Sequence, residues 1–150
     1  MVMRMQVRLM AALFAALAFC LVNPGFASAR SLSFAPNQDG IVQFVTPSGT
    51  IGCTYIPFDG AGGIDTGVNG PELHCYRLYG KFEAVSLGPK NKALKLLVRG
   101  KLACCNTRNV LAFGNTWATN GFACTSERAG LICRRGKHGF SISAVAISRH

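Results

Sequence analysis

The stretch FACTSERAGLICRRGKHGF, residues 122–140, holds two cysteines, a basic cluster and a histidine within nineteen positions. Those residue types could make a metal site, a redox site, a catalytic loop or a stapled hairpin. Cys124, Cys133 and His138 supply three ligands, whereas a structural zinc needs four, and the fourth would have to be a distant cysteine. No metal and no cofactor is therefore expected. GFACTS and GLICRR read as two strands around Glu127-Arg128-Ala129-Gly130, and Gly130 can take the left-handed conformation that closes a three-residue loop through a bulge. In either register Cys124 and Cys133 fall opposite or one residue off, close enough for a disulfide. The stapled hairpin is the expectation.

The doublet Cys104-Cys105 is the least ordinary feature of the chain. Neighbours on a strand point to opposite faces, so the two thiols could not both serve one core. Three readings stand side by side. One cysteine pairs structurally and leaves the other free or bonded to a second chain. The two form a strained vicinal bridge, more easily reduced than an ordinary one and usable as a switch. Or they act as an exchange-active dithiol, although Lys101 and Arg108 are weak activators and the C-x-x-C spacing is absent.

His138 lies between Lys137 and Gly139 after the hairpin, where an imidazole could act as a general base. It would need a nucleophile, such as Ser126 or Ser141, and an orienting carboxylate from Asp59, Asp65, Glu72, Glu83 or Glu127. Nothing in the spacing brings them together, and a ring that bonds backbone in a turn is the simpler reading. His74, beside Cys75 on an expected strand, is plainer still. Gly-rich phosphate loops, paired carboxylates and a nucleophile elbow are all missing, so no catalytic residue is assigned. His138, Cys104 and Cys105 remain the candidates.

Charge points to binding instead. Lys90, Lys92, Lys95, Arg99 and Lys101 form one basic segment, and Arg134, Arg135 and Lys137 a second. On a shared face they would attract polyanions: anionic glycans, lipid headgroup phosphates or nucleic acid. Trp117, Tyr76 and Tyr79 could add stacking. An ordinary solvated face is the competing reading.

These residues need elements to hold them. MVMRMQVRLM carries Arg4 and Arg8 and no acid; the uncharged run LMAALFAALAFCLV follows, then NPGFASA with small residues at Ala27 and Ala29. This describes a secretory signal over residues 1–29, and the apolar run is short of the roughly 20 residues of a membrane span. Cleavage after Ala29 leaves 121 residues, enough for one domain, with 14 basic and six acidic side chains and no membrane anchor. Six cysteines remain, an even number in a small exported chain, which reads as a disulfide framework. Periplasm and medium are equally open as the destination.

Residues 30–40 are polar and expected as a loose arm, with a single β domain over 41–150. IVQFV, TIGCTY, PELHCYR and KFEAVSL alternate as strands; TPSG is a turn, and the glycine-rich 59–70 a mobile loop. KALKLLVRGKLACC fits helix or strand, and Gly100 with strands on both sides favours strand. VLAFG, TNGFACTS, GLICRR and GFSISAVAIS complete an all-β fold: a small disulfide-stabilised sheet or barrel-like domain of short antiparallel strands.

FVTPSGTIGCTY, PELHCYR, VLAFGNTW, GFACTSERAGLICRR and GKHGFSIS occur in this order over about residues 44 to 143. The chain thereby resembles a family of small exported bacterial domains of unknown function. That family opens on T/S-P-S-G-N-I-x-C, has a middle L-x-Y-G segment, and closes on a G-F-x-C…G-x-x-C hairpin followed by G-H-G-F. The chain departs from it at Thr50, where the pattern has Asn, at Phe113 for Tyr, and at Lys137 before the histidine. It also has two cysteines at 104–105 where the pattern has one, and lacks a cysteine between Arg77 and Gly100. The resemblance implies a secreted or periplasmic domain and the pairs Cys53–Cys75 and Cys124–Cys133. It implies no reaction. The expectation is a non-enzymatic binding module with a basic face, the alternative a small hydrolase or thiol-redox protein using His138 or the Cys104-Cys105 pair.

Overall fold

The structure is a computed structural model and describes residues 29–67, 69–79, 83–89, 93–97 and 104–150, with the side chains of 95–97 left aside. The expected signal segment, apart from its last residue, and Lys90, Lys92, Arg99 and Lys101 lie outside the described residues.

Among the described residues, alternation of apolar and polar side chains resolves into eleven strands in two sheets. The five-stranded sheet is a plain meander: β2 (Val42–Val45), β3 (Ile51–Ile56), β4 (Glu72–Arg77), β5 (Glu83–Leu87) and β6 (Leu94–Leu97). The second meander runs β7 (Thr116–Thr119), β8 (Phe122–Glu127), β9 (Gly130–Arg135), β10 (His138–Ile142) and β11 (Ile147–Arg149). A two-residue strand β1 (Ser31–Leu32) joins β7 in parallel; every other pair is antiparallel.

The inward faces meet in one core. Phe44, Tyr55, Leu73 and Leu87 from the first sheet pack against Trp117, Phe122, Leu131 and Phe140 from the second. Trp117 is at its centre, with ring centroids 5.0 Å from Phe44 and 5.7 Å from Tyr55. Each sheet carries its own staple there. Cys53 is opposite Cys75 and Cys124 opposite Cys133, both with Cα atoms 4.1 Å apart, and all four residues are 0% exposed.

Several local expectations change. The arm at 30–40 is tied down, because β1 pairs with β7 and Phe34 stacks on Phe44 at 5.8 Å, so that Leu32 and Phe34 cover the core edge. The loop at 59–70 contains a 3-10 turn, Ala61–Gly63, and closes on Asp59, whose carboxylate accepts from the Thr66 amide at 2.7 Å and its hydroxyl at 3.1 Å. That geometry holds the Asp59 carboxyl below its usual range. TNGFACTS is not one strand: Asn120 and Gly121, at φ 45° and 81°, form the tight turn between β7 and β8. The β8–β9 loop has two residues rather than three, since Glu127 pairs with Gly130. Gly130 is still required, because a Cβ there would collide with the Ile142 carbonyl. VLAFG contributes only a bridge from Val110 to Val45.

Candidate functional site

All six residues of β3 are buried, although a sheet strand normally exposes one face. The chain returning from the first sheet to the second explains it. Residues 104–109 cross the outer face of β3 and reach the free edge of β2, where Thr107 Oγ1 and Asn109 Nδ2 donate to the Gln43 carbonyl at 3.3 and 2.8 Å. This closes an edge that would otherwise offer unpaired groups.

The doublet lies at the start of that segment. It is not on a strand, so the argument from opposite faces does not apply: Cys104 and Cys105 are joined to each other through a cis peptide, their sulfurs at bonding distance. Both are half-buried, in contrast to the four sealed cysteines of the core. The sulfurs rest on Gly52, where a Cβ would come within 2.6 Å of Cys105 Sγ and 3.2 Å of Cys104 Sγ. A glycine inside a strand is the usual mark of such an approach. Beside it, Gln43 Nε2 donates to Thr54 Oγ1 at 3.3 Å, and Thr54 Oγ1 in turn donates to Cys104 Sγ at 3.5 Å. Cys105 Sγ is 3.6 Å from the Cys53 carbonyl oxygen.

One strand further, Glu72, His74 and Tyr76 occupy alternate positions of β4 and so share its outer face, with His74 opposite Thr54 in register. His74 Nδ1 is 3.2 Å from the Tyr76 hydroxyl, and Nε2 is 2.9 Å from Glu72 Oε2, off the angle of a hydrogen bond. Burial, and then the Glu72 charge, raise the Tyr76 phenol above its ordinary value. The alternating E-x-H-x-Y was the available signal for this row.

The basic residues divide. Lys95 is on β6 of the five-stranded sheet, opposite Val85, while Arg134, Arg135 and Lys137 belong to the six-stranded one. Adjacent residues alternate, so Arg134 and Arg135 do not share a face. Arg135 is held in place: its guanidinium lies over the Phe122 ring, 4.3 Å from the centroid, and Nη1 donates to the Pro71 carbonyl at 3.2 Å. Arg134 points outward. Register sets it and His150 on either side of Gly139, and a Cβ on Gly139 would come within 3.1 Å of Arg134 Cγ and 3.3 Å of His150 Cδ2. Lys137 is on the exposed turn beside them, and Arg149 is exposed on β11 one residue before His150. No acid lies on β9, β10 or β11. His150 joins the site only through the β10–β11 pairing, which spacing alone does not reveal, whereas Arg149, opposite Phe140, takes the other face.

His138 opens β10 opposite Arg135, and among the described residues its side chain makes no hydrogen bond or ion pair. Ser141 is three residues along the same strand, and Ser126 is buried on β8 with its hydroxyl unpartnered, so neither is assembled with His138. Compared with known protein families, curated proteins and solved structures, the chain matches none.

Proposed function

We infer that this chain is an exported, non-enzymatic binding domain that holds an anionic glycan polymer of the envelope or the extracellular space at the end of its six-stranded sheet. The observation that carries the reading is the convergence of Arg134 and His150 over Gly139, with Lys137 alongside and no acid on the three strands. Glu127, the acid of this sheet, is on β8 opposite Gly130, four residues along from the Arg134 partner Ala123, or roughly 13 Å at strand spacing, at the far end of the shallow groove that Arg134 also lines. Clustered cations that outnumber the acids beside them attract a polyanion and release its counterions on contact. The bare Cα of Gly139 lets the Arg134 stem and the His150 ring close over it and over the Cys133 carbonyl oxygen, and the exposed guanidinium beyond them can pair directly with a sulfate, phosphate or carboxylate. Export is supported by the leader-like amino terminus and by three cysteine pairs at bonding distance.

The test is retention on a heparin resin at low salt, with elution by salt. The chain is retained, and Arg134→Ala/Lys137→Ala elutes earlier. Flow-through of the unaltered chain at low salt overturns the reading.

A further inference from the structure

The vicinal pair has surroundings suited to a form other than the one in which it stands. Neither sulfur of a disulfide has a proton to give. Yet Cys105 Sγ is 3.6 Å from an acceptor, the Cys53 carbonyl oxygen, and Cys104 Sγ is 3.5 Å from a donor, the Thr54 hydroxyl. With Gln43 Nε2 donating to the same oxygen, the Thr54 hydroxyl turns its proton to the sulfurs, and Cys104 Sγ at 3.5 Å is nearer to it than Cys105 Sγ at 4.0 Å. One sulfur is thus placed beside a group that favours a thiolate, the other beside a group that favours a thiol.

We propose that Cys104–Cys105 is a thiol–disulfide exchange site, reduced by an external dithiol, with Cys104 leaving as the thiolate held by Thr54 and Cys105 ending as the thiol that donates to the Cys53 carbonyl. The thiolate of the dithiol attacks Cys105 Sγ; a sulfur–sulfur bond forms there as the Cys104–Cys105 bond breaks, and its electron pair goes to Cys104 Sγ. The second thiol of the partner, as thiolate, then attacks the partner's own sulfur in the mixed disulfide and expels Cys105, which takes up a proton. Two electrons pass from the dithiol, which becomes a cyclic disulfide. A hydrogen bond to the ionised leaving sulfur lowers its pKa, and a lower leaving-group pKa speeds exchange. Exposure makes the reaction selective, since the four core cysteines are sealed from any attacking thiolate. The site is on the opposite sheet from the cationic end and does not depend on anion binding.

The experiment is a titration of the folded, fully oxidised chain with dithiothreitol, quenched by alkylation and read by peptide mass. Cys104 and Cys105 are expected to alkylate together at reductant levels that leave Cys53–Cys75 and Cys124–Cys133 closed. Thr54→Val is expected to lower the equilibrium constant for reduction roughly tenfold, the scale of one hydrogen bond to a charged group, and to raise the Cys104 thiolate pKa read by ultraviolet absorbance. Thr54→Ser, which keeps the hydroxyl, restores both. If the doublet opens only as the core pairs open, the proposal is wrong. It is equally wrong if Thr54→Val leaves both the constant and the thiolate pKa unchanged.

Discussion

Gly52→Ala tests the seat of the doublet quantitatively. The backbone there is ordinary strand, so alanine brings no conformational strain, only a methyl group 2.6 Å from Cys105 Sγ and 3.2 Å from both Cys104 Sγ and Leu78 Cδ1. The nearer sulfur must retreat by about 1 Å to regain normal contact. Overpacking of this size costs ~2 kcal/mol, and the unfolded chain's loss of freedom on Gly→Ala returns ~0.5 kcal/mol, a net loss of about 1.5 kcal/mol. In a Cys104→Ala/Cys105→Ala background the sulfurs are gone and only the flexible end of Leu78 remains, so the same substitution should be neutral or slightly stabilising. The coupling between the sites is then roughly 2 kcal/mol. Urea unfolding followed by fluorescence of the single tryptophan, Trp117, reads it directly. With a urea slope of ~1.5 kcal/mol/M, Gly52→Ala lowers the midpoint by about 1 M in the natural background and not in the other. Equal midpoint shifts in both backgrounds would refute the reasoning.

Trp117 is 1% exposed between Phe44 and Tyr55, so its emission should be blue-shifted, and Trp117→Ala should cost ~3–5 kcal/mol in a denaturant titration. Because burial and then Glu72 raise Tyr76, its phenol should ionise above 10.0, as the absorbance difference between the chain and Tyr76→Phe will show. The neutral phenol is the form that folding favours, so this contribution to stability is whole below pH 10.0 and is lost as pH rises through the folded value. Asp59 has the opposite sign: the Thr66 amide, followed by its hydroxyl, favours the carboxylate. Its contribution is present above pH 3.8 and is lost as pH falls through a lower folded value, so the Thr66 and Gly67 amide resonances should shift with a midpoint below 3.8.

Much of the fold was legible because strands announce themselves by alternation: VQFV, ELHCYR and EAVSL all form where the pattern puts them. The Cys124–Cys133 staple follows from a hairpin closed on itself, in which any register leaves the cysteines adjacent. TWAT was missed because the Asn120-Gly121 turn was absorbed into a longer run, although Asn-Gly between apolar segments is a strong hairpin signal. Residues 30–40 looked loose because polarity outweighs two apolar side chains, Leu32 and Phe34, whose burial depends on a sheet formed by the other end of the chain. The seat of the doublet needed tertiary information. TIGCT shows a glycine and a threonine on one face of a strand, and nothing in it says that a segment some fifty residues later lies across them, as the contacts of Thr54 with Cys104 do. The cationic end was half legible: Arg134 and Lys137 stand out, whereas Arg135 is committed to Phe122 and Pro71, and His150 arrives from the far end of the sequence.

The most direct measurement of the central claim is the affinity of the chain for heparin across a salt series, beside Arg134→Ala/Lys137→Ala and, as a control on the other sheet, Arg108→Ala. Each cation that displaces a counterion adds about 0.7–0.9 to the slope of log affinity against log salt. The account predicts a steep slope for the unaltered chain, a fall of about 1.5 in the double variant, and little change in the control. An unchanged slope in the double variant, or equal losses in it and in the control, contradicts it.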